Sequence, residues 1–287
     1  MSVERQGECK MEKGLVSVIM LSYNRERYVA DSVRSLMSQT YQKWELLFVD
    51  DNSEDDTIKL MMKLMAEDVE LQKSQGLTLA GHYPPQSRIK VSHTTFTKGS
   101  ALTRNGALRE AKGQWIAFLD AGDLWEPQKL EKQIAFMEDN GHAFCYSKFR
   151  LINEDSSDKG IVMGGIKHVT RRDLEKCCWM TYLTVMYDAE KVGLIQVKNR
   201  GEENDFALWL KVSEKADCYL LDECLASQRS SQHLFSPFPF WYKLNWRYQA
   251  FRIDERRNPI VASFMTVRNL WGGIVKKMKY VERRNRE

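Results

Sequence analysis

The sequence predicts an α/β protein with a mostly parallel central sheet flanked by helices. Three near-continuous apolar runs of strand length, at residues 16–21, 45–49 and 115–119, are typical of strands buried on both faces. Amphipathic helical segments separate these runs, and each run ends in polar residues. Such alternation builds a parallel sheet that is covered on both sides, and ligands bind where its strands end. We therefore expect a nucleotide-type binding layer in the first half of the chain.

Local signals support each element of the first half. Apolar residues at helical spacing predict the first helix. Ser53, together with the acidic residues that follow it in the sequence, predicts the start of the second helix. Gly113 lies just after the predicted helix over 99–111, where glycine is common. Pro127 suits the first turn of the predicted helix over 127–139. After the first strand, the predicted elements are helices over 26–39, 55–73, 99–111 and 127–139, a loop over 74–88 and a short strand over 89–91.

The second half is less regular. Short apolar runs there predict strands, and an acidic turn at 153–156 separates the first two of them. Thr170 is a candidate cap for a short helix. The predicted elements are strands over 143–151, 160–166, 183–187, 218–221 and 224–228, and helices over 170–177 and 206–215.

Composition excludes several classes of protein. Of 287 residues, 43% are apolar, and 43 Lys+Arg nearly balance 39 Asp+Glu, so the chain is not disordered as a whole. Its apolar runs fall far short of the ~20 residues that span a bilayer. The first twenty residues carry Glu4, Glu8 and Glu12 and no signal-peptide hydrophobic region. We expect a soluble, cytoplasmic protein.

Positive charge is concentrated near the end of the chain. Residues 241–287 hold twelve Lys/Arg against four Asp/Glu, which leaves residues 1–240 with an excess of four negative charges. Aromatic residues are interleaved with these cations, a pattern that suits an anionic membrane surface. The alternative is a helical extension that packs its aromatic side chains on the core. No nucleic-acid-binding motif accompanies the segment, so nucleic acid is not expected as a partner.

Residue chemistry alone points to a metal-assisted site at the sheet edge. The sequence has no GxGxxG after the first strand, no GxxxxGK[ST], no HExxH and no CxxC pair. Clustered carboxylates remain, and they would repel one another unless a cation intervened. Such oxygen ligands suit Mg²⁺ or Mn²⁺ together with substrate phosphates. The clusters are Asp50 with Asp51, Asp120 with Asp123, and Glu202 and Glu203 with Asp205.

Several ordered motifs resemble those of family 2 glycosyltransferases, which have the GT-A fold. The resemblance covers roughly residues 15–230. Its motifs are VSVIMLSYNR (16–25), SQTY (38–41), WELLFVDDNS (44–53), DT (56–57), TRN (103–105), AKGQWIAFLDAGD (111–123), WEPQKL (125–130), NDFALWL (204–210), LDECL (221–225) and Arg229.

The resemblance implies a site for a UDP-sugar donor. Tyr23 and Asn24 would line the base and ribose, Asp51 would accept a hydrogen bond from uracil, and Arg104 would lie near the diphosphate. The full set of implied donor-binding residues is Ser22, Tyr23, Asn24, Asp51, Arg104 and Asp120.

The resemblance also implies a metal site and a catalytic base. Asp120 and Asp123 lie in the loop that carries the family's DXD motif, which binds Mn²⁺ or Mg²⁺. Asp205 matches the aspartate that removes a proton from the acceptor hydroxyl, so transfer would invert the sugar. The pattern departs from the family at Gly122, where a metal-binding Asp is usual, and at Asn204, where Glu is usual.

Structural alternatives stay open for several of these residues. Asp50 would cap the following helix, and Asp123 would cap the helix that begins near Pro127. Arg104 would be a solvated charge on a helix. Trp209, one helical turn beyond Asp205, is expected to be core rather than an acceptor contact.

The predicted function is transfer of a hexosyl or N-acetylhexosaminyl group from a UDP-sugar to a saccharide or lipid-linked acceptor. The setting would be synthesis of a bacterial-type surface polysaccharide, at the inner face of the plasma membrane. The alternatives are a non-catalytic, glycosyltransferase-like membrane-associated binding subunit and, last, a nucleotidyltransferase. The predicted organisation is a polar lead (1–14), a GT-A domain (15–235) with nucleotide-binding (15–125) and acceptor (126–235) halves, and a basic aromatic extension (236–287).

Overall fold

The structure is a computed structural model that describes residues 11–76, 86–94, 99–198, 204–230 and 240–283. Within these ranges the chain forms eleven strands and nine α-helices. The strands are β1 Glu12–Ser22, β2 Trp44–Asp50, β3 Ile89–His93, β4 Gly113–Phe118, β5 Leu124–Trp125, β6 Phe144–Ile152, β7 Asp158–Met163, β8 His168–Val169, β9 Val185–Asp188, β10 Cys218–Arg229 and β11 Val281–Arg283. The helices are α1 Val29–Met37, α2 Thr57–Ser74, α3 Ser100–Glu110, α4 Lys129–Asn140, α5 Arg171–Lys176, α6 Ala189–Val192, α7 Asn204–Val212, α8 Phe240–Gln249 and α9 Pro259–Lys279.

One mixed sheet organises the chain. Its main path runs β11-β7-β6-β9-β4-β1-β2-β3, and β10 joins it beside β6. The strands β3, β2, β1 and β4 are all parallel, as the apolar runs of the first half predict. Antiparallel pairing prevails in the second half, where β9 is antiparallel to both β4 and β6. The parallel half therefore brings the ends of β1, β2 and β4 to one edge.

The sheet separates two apolar clusters. Successive side chains of a strand point to opposite faces, so Val18 and Ile19 of β1 enter different clusters. Val18 packs in the cluster that includes buried residues of α1, α2 and α4. Ile19 packs in the cluster that includes residues of α3 and α7. Continuous apolar runs are needed because both faces are covered.

Two predicted elements of the second half differ from the structure. The strands expected at 218–221 and 224–228 form one strand, β10, whose register against β6 shifts between Leu221 and Cys224. The strand expected at 183–187 begins as a 3₁₀ turn over Tyr182–Thr184 and becomes extended only at Val185. The Thr170 cap is confirmed, because the Thr170 side chain accepts from the Asp173 backbone N–H.

The C-terminal helices pack on the body of the protein with one face. Phe251, in the π-helical turn Ala250–Asp254, meets the Phe206 ring of α7 with centroids 5.5 Å apart. Ala262 and Met265 of α9 are buried in the same apolar cluster as Ile19. The packing alternative from the sequence therefore holds for this inner face. In the described part of the chain, no helix is both long and apolar enough to cross a bilayer.

Candidate functional site

A cleft lies at the edge where β1, β2 and β4 end. Its volume is about 240 Å³. Five of the six residues predicted to bind a donor line it, while Asn24 does not. The lining residues are Leu21, Ser22, Tyr23, Arg25, Asp51, Ser100, Thr103, Arg104, Asp120 and Ala121. We call this cavity the donor cleft.

Two adjacent aspartates after β2 have different roles. Asp50 is fully buried and accepts from the backbone N–H and the hydroxyl of Ser53, at 2.7 and 2.5 Å. The cap position of α2 is Asp56, so the expectation that Asp50 caps this helix is wrong. Asp51 faces the donor cleft, and its Oδ1 lies 3.3 Å from the hydroxyl oxygens of Thr94 and Thr103. Of the two carboxylates, that of Asp51 lines the donor cleft.

The residues at the end of β1 and just after it also differ in whether they line the donor cleft. The Ser22 hydroxyl is buried in the wall of the donor cleft and has no hydrogen-bond partner within the described residues. Tyr23 is exposed at the rim. Asn24 instead joins two loops, because its Oδ1 accepts from the Glu54 backbone N–H at 2.9 Å. Its φ of +50° suits Asn better than most residues.

Arg104 is buried in the wall of the donor cleft. Its Nη2 donates to Asp120 Oδ1 at 3.3 Å, and its guanidinium lies 3.7 Å from the centre of the Tyr182 ring. Burial lowers the pKa of Arg104, but the neighbouring Tyr182 and Asp120 outweigh it and raise the pKa. The expectation of a solvated charge is therefore wrong. A fixed cation beside Asp120 suits an anionic ligand.

The loop between β4 and β5 carries the two candidate metal ligands. Asp120 is half-buried and lines both the donor cleft and a second cleft of about 300 Å³ that also includes Asp123. Asp123 is partly buried, and desolvation raises its pKa to about 7, with the nearby Asp120 charge adding to this. Asp123 does not cap α4, whose cap position is Gln128. Between them, Gly122 has a φ of +121°, a conformation that L side chains rarely adopt.

Arg229, at the end of β10, holds this loop in place. Its backbone N–H donates to Asp123 Oδ1 at 2.9 Å, and its Nε donates to the Gly122 carbonyl at 2.8 Å. The guanidinium also lies 4.6 Å from the centre of the Tyr28 ring. The sequence motif included Arg229 without a role, because these contacts join residues more than 100 positions apart.

The two carboxylates fit one divalent cation only with help from a ligand. No group of three His, Cys, Asp or Glu side chains in the described ranges could hold a metal ion. Mg²⁺ is commonly bound through one or two carboxylates plus substrate phosphates. Asp120 and Asp123 supply two such carboxylates at one cleft, and their mutual repulsion is what a cation would relieve.

Asp205 lies partly buried at the start of α7. Its Oδ1 accepts from the Phe206 backbone N–H at 2.7 Å. Burial raises the pKa of Asp205, while the positive charges of Arg247, Arg104 and Lys276 favour the ionised form. Arg104 thus links Asp205 electrostatically to the donor cleft. Arg247 belongs to α8 and Lys276 to α9, so the C-terminal helices contribute to this environment.

Other predicted residues have simpler outcomes. Trp209 is fully buried, with its ring centre 5.8 Å from that of Phe118 and 5.2 Å from that of Tyr182, so it is core as expected. Glu202 and Glu203 lie outside the described residues.

Comparisons with known proteins agree with this geometry. Residues 17–187 match the sequence family described as Glycosyl transferase family 2. The chain is 31% identical over 267 residues to the putative teichuronic acid biosynthesis glycosyltransferase TuaG of Bacillus subtilis (strain 168), covering 93% of this chain and 98% of TuaG. It is 35% identical over 202 residues to an Escherichia coli UDP-Glc:alpha-D-GlcNAc-diphosphoundecaprenol beta-1,3-glucosyltransferase, WfgD, covering 70% and 71% of the two chains.

A solved structure shares the fold. The crystal structure of S. aureus TarS 1-349 in complex with UDP-GlcNAc matches 89% of this chain and 71% of its own, with a TM-score of 0.64 and 19% identity. At this identity the likeness concerns the fold alone.

Proposed function

The chain belongs to glycosyl transferase family 2, and we propose that it transfers a hexosyl or N-acetylhexosaminyl group from a UDP-sugar to a saccharide or lipid-linked acceptor. Its product would be part of a bacterial-type cell-surface polysaccharide. The observation that carries the proposal is the donor cleft, where Asp51, Arg104 and Asp120 converge at the ends of parallel strands. Such an edge is where open α/β sheets bind ligands.

The names of the similar proteins support the choice of substrates. WfgD is named for a UDP-glucose donor and an acceptor linked to diphosphoundecaprenol. The TarS complex contains UDP-GlcNAc. Both donors carry UDP and differ in the sugar. We therefore propose UDP as the nucleotide and either a hexose or an N-acetylhexosamine as the sugar.

Asp51 would recognise the uracil ring. Its carboxylate can accept a hydrogen bond from the ring N–H, which a base without a donor at that position cannot make. Thr103 lies close enough to help fix the carboxylate, since its hydroxyl is 3.3 Å from Asp51 Oδ1. The Ser22 hydroxyl, buried in the same wall, would donate to the nucleotide. Tyr23 would cover it from the rim.

Positive charge would hold the donor diphosphate. Arg104 is buried beside Asp120, and Arg25 lines both clefts. Asp120 and Asp123 would hold one Mn²⁺ or Mg²⁺ ion together with the diphosphate. When bound, this ion would neutralise charge on the UDP leaving group. Gly122 would contribute no side chain, and Arg229 would keep the loop in shape.

Asp205 would act as the general base. Its carboxylate takes the proton from the acceptor hydroxyl as that oxygen bonds to the anomeric carbon. The bond between this carbon and the β-phosphate oxygen breaks on the opposite side, and its electron pair leaves with UDP. The configuration of the sugar is thereby inverted. Arg247 and Lys276 would favour the ionised base before the reaction.

The organisation we propose follows the sequence. Residues 15–125 would form the nucleotide-binding half, residues 126–235 the acceptor half, and residues 236–287 a basic extension. A lipid-linked acceptor would require the protein to work at the inner face of the plasma membrane.

A panel of nucleotides tests the donor proposal. Thermal unfolding would be measured with UDP, GDP, CDP and TDP, each with and without Mn²⁺. A ligand at 100 times its Kd adds about 2.7 kcal/mol to the free energy of unfolding, which is readily detected. We expect stabilisation by UDP above CDP, whose ring nitrogen at that position is an acceptor, and we expect Mn²⁺ to increase the UDP effect. An Asp51→Asn variant should lose this preference.

A negative panel would favour a different function. Stabilisation by no nucleotide would support the non-catalytic, membrane-associated subunit that Gly122 motivates. Equal stabilisation by all four would contradict the role of Asp51. Stabilisation by UDP that is independent of Mn²⁺ would remove Asp120 and Asp123 from metal binding.

A further inference from the structure

Helix α9 has apolar residues on two faces, and among the residues that the structure describes one face packs on the body of the protein while the other is exposed. On the inner face, Asn269 Nδ2 donates to the Leu174 carbonyl at 3.0 Å, and Lys276 Nζ donates to the Trp179 carbonyl at 2.7 Å. Ala262 and Met265, also on the inner face of α9, are buried against the core. The inner face is therefore joined closely to α5 and the segment that follows it.

The outer face carries a continuous row of exposed apolar side chains. They recur at alternating steps of four and three residues, the spacing of one helical face. Their exposed fractions are between 51% and 83%, and the row extends about 27 Å along the helix at 1.5 Å per residue. These six residues, which we call the outer stripe, are Ile260, Phe264, Val267, Trp271, Ile274 and Met278.

The charge around the outer stripe has one sign. Residues 240–253 and 259–279 contain no Asp or Glu. Arg268, Lys277 and Lys279 come from α9 itself, and Lys243 comes from α8. The nearest carboxylate on α5, Glu175, is already paired with Arg257 and Arg268. A second copy of this face would bring cations against cations, whereas an anionic surface would be attracted, above all near the end of α9 where Lys277 and Lys279 lie.

Exposed aromatic residues occur on α8 as well as on α9. Trp241 and Tyr242 are exposed there, as are Phe264 and Trp271 on α9. The amphipathic rings of Trp and Tyr collect at the level of lipid headgroups. An amphipathic helix with cations and large apolar side chains lies in the plane of the membrane interface and inserts only its apolar face.

We propose that the outer stripe is a membrane-docking face that lies in the headgroup region of a bilayer containing anionic lipids. The docking rests on the proposed function only for its purpose, which would be to bring the site to a lipid-linked acceptor. The same helix bears Lys276 on its inner side, where its charge acts on Asp205. An α-helix is about 10 Å in diameter, so docking brings the bilayer surface within roughly one helix of the candidate base.

Vesicle flotation of the full-length protein tests the proposal. Vesicles of phosphatidylcholine alone are compared with vesicles that also contain about 30 mol% phosphatidylglycerol. We expect the protein to float with the anionic vesicles at low salt and to detach as salt screens the charges. The triple variant Phe264→Gln/Val267→Gln/Trp271→Gln keeps every charge and should lower the partition coefficient at least about 100-fold. Lys277→Gln/Lys279→Gln should lower the preference for anionic vesicles roughly 30-fold.

Controls separate docking from folding and from catalysis. Met62→Gln changes an exposed apolar residue on α2 and should leave flotation unchanged. Transfer to a water-soluble saccharide acceptor, without vesicles, should be equal for the wild type and the triple variant. Failure of transfer in both proteins, with flotation intact, would overturn the proposed function and leave the docking face standing.

Two results would overturn the docking face. One is equal flotation of the wild type and the triple variant. The other is a wild-type dimer in sedimentation that the triple variant converts to a monomer, with neither protein binding vesicles. That second result would identify the outer stripe as a subunit interface.

Discussion

Adjacent residues of the same type do different work in this site. Asp50 accepts hydrogen bonds from the backbone N–H and the hydroxyl of Ser53, while Asp51, one position later, lines the donor cleft. Asp120 lines both clefts, while Asp123 lines the second cleft and accepts from the Arg229 backbone N–H. What each carboxylate can do follows from its neighbours and its access to a ligand, because burial and hydrogen bonds decide which charge is available.

Replacing Asp205 by Asn tests the general base. The amide has nearly the same shape but accepts no proton, and general bases contribute typically 10²- to 10⁴-fold. We expect kcat to fall by about that factor while the UDP-induced thermal shift stays nearly unchanged. Steady-state transfer and thermal unfolding measure the two effects.

Asp139→Asn is the matched control for this variant. It removes a carboxylate from an exposed position on α4 and should leave kcat unchanged. Transfer by the Asp205→Asn protein at a rate near that of the wild type would remove Asp205 from the mechanism.

Lys129 makes stability depend on pH. It is fully buried on α4, and burial lowers its pKa to about 7. Between about pH 7 and 10.5 the unfolded chain therefore binds a proton at this site that the folded chain does not bind. Lys129 therefore lowers the free energy of unfolding at pH 7, and this effect disappears as the pH rises towards 10.5. Lys129→Met should raise the free energy of unfolding at pH 7 by about 2 kcal/mol or more, after loss of the contact with Gln133.

Urea unfolding at several pH values between 7 and 10 checks this expectation. The difference between variant and wild type should shrink steadily as the pH rises, since other titrating groups are common to both proteins. Lys63→Met, at an exposed position on α2, should give no such trend. A constant difference across this range would show that Lys129 is charged in the folded protein.

The residue-level prediction from sequence was limited by distance along the chain. Motifs pointed to five of the residues that line the donor cleft, because each lies just after a strand or on the helix beside it. The roles of Arg229, Arg247 and Lys276 were missed, since each acts on a residue far away in sequence. Asn24 follows a strand as well, yet its side chain is used by the Glu54 backbone. Spacing alone does not tell these cases apart.

At the scale of elements, one glycine controls how α9 meets α5. A Cβ added at Gly272 would lie 2.1 Å from the Lys176 carbonyl oxygen, whereas a Cβ at Gly273 would meet nothing within 4 Å. Alanine normally stabilises a helix interior relative to glycine by about 1 kcal/mol. We expect Gly273→Ala to follow this rule and Gly272→Ala to destabilise by about 2 kcal/mol, because the backbone of α5 must move.

Urea unfolding of the two variants measures both signs in one experiment. Their helix propensities are the same, so the difference between them isolates the contact with α5. If Gly272→Ala is as stable as Gly273→Ala, then α9 is not held against α5 in the way described.

Elements with strong periodicity were predicted closely, and those set by pairing were not. The apolar runs of β1, β2 and β4 follow directly from burial on two faces. The single strand β10 was expected as two, since the polar pair Asp222 and Glu223 interrupts its pattern; its pairing with β6 carries it across this point. The C-terminal helices were left between packing and membrane contact. Their inner face packs on the body of the protein, and membrane contact of the outer face stays a prediction.

At the scale of the molecule, both apolar clusters depend on one sheet. Trp115 belongs to one cluster and Trp209 to the other, and they are linked through the strands between them. We expect one cooperative unfolding transition, with urea midpoints for Trp115→Phe and Trp209→Phe each agreeing between fluorescence and far-UV circular dichroism within about 0.3 M. Two separated transitions would show that the C-terminal helices and their cluster unfold as a unit of their own.

The conformation of Gly122 has an evolutionary consequence. An aspartate that replaced the glycine at this position would have to adopt a φ of +121°, which L side chains rarely do. The new side chain would arrive on a backbone that strains it by about 1–3 kcal/mol, and the loop would have to be rebuilt around Arg229 first. Neighbouring carboxylates are therefore the accessible source of a replacement ligand. Lineages that share this glycine should vary at Asp120 and Asp123 less freely than those that do not.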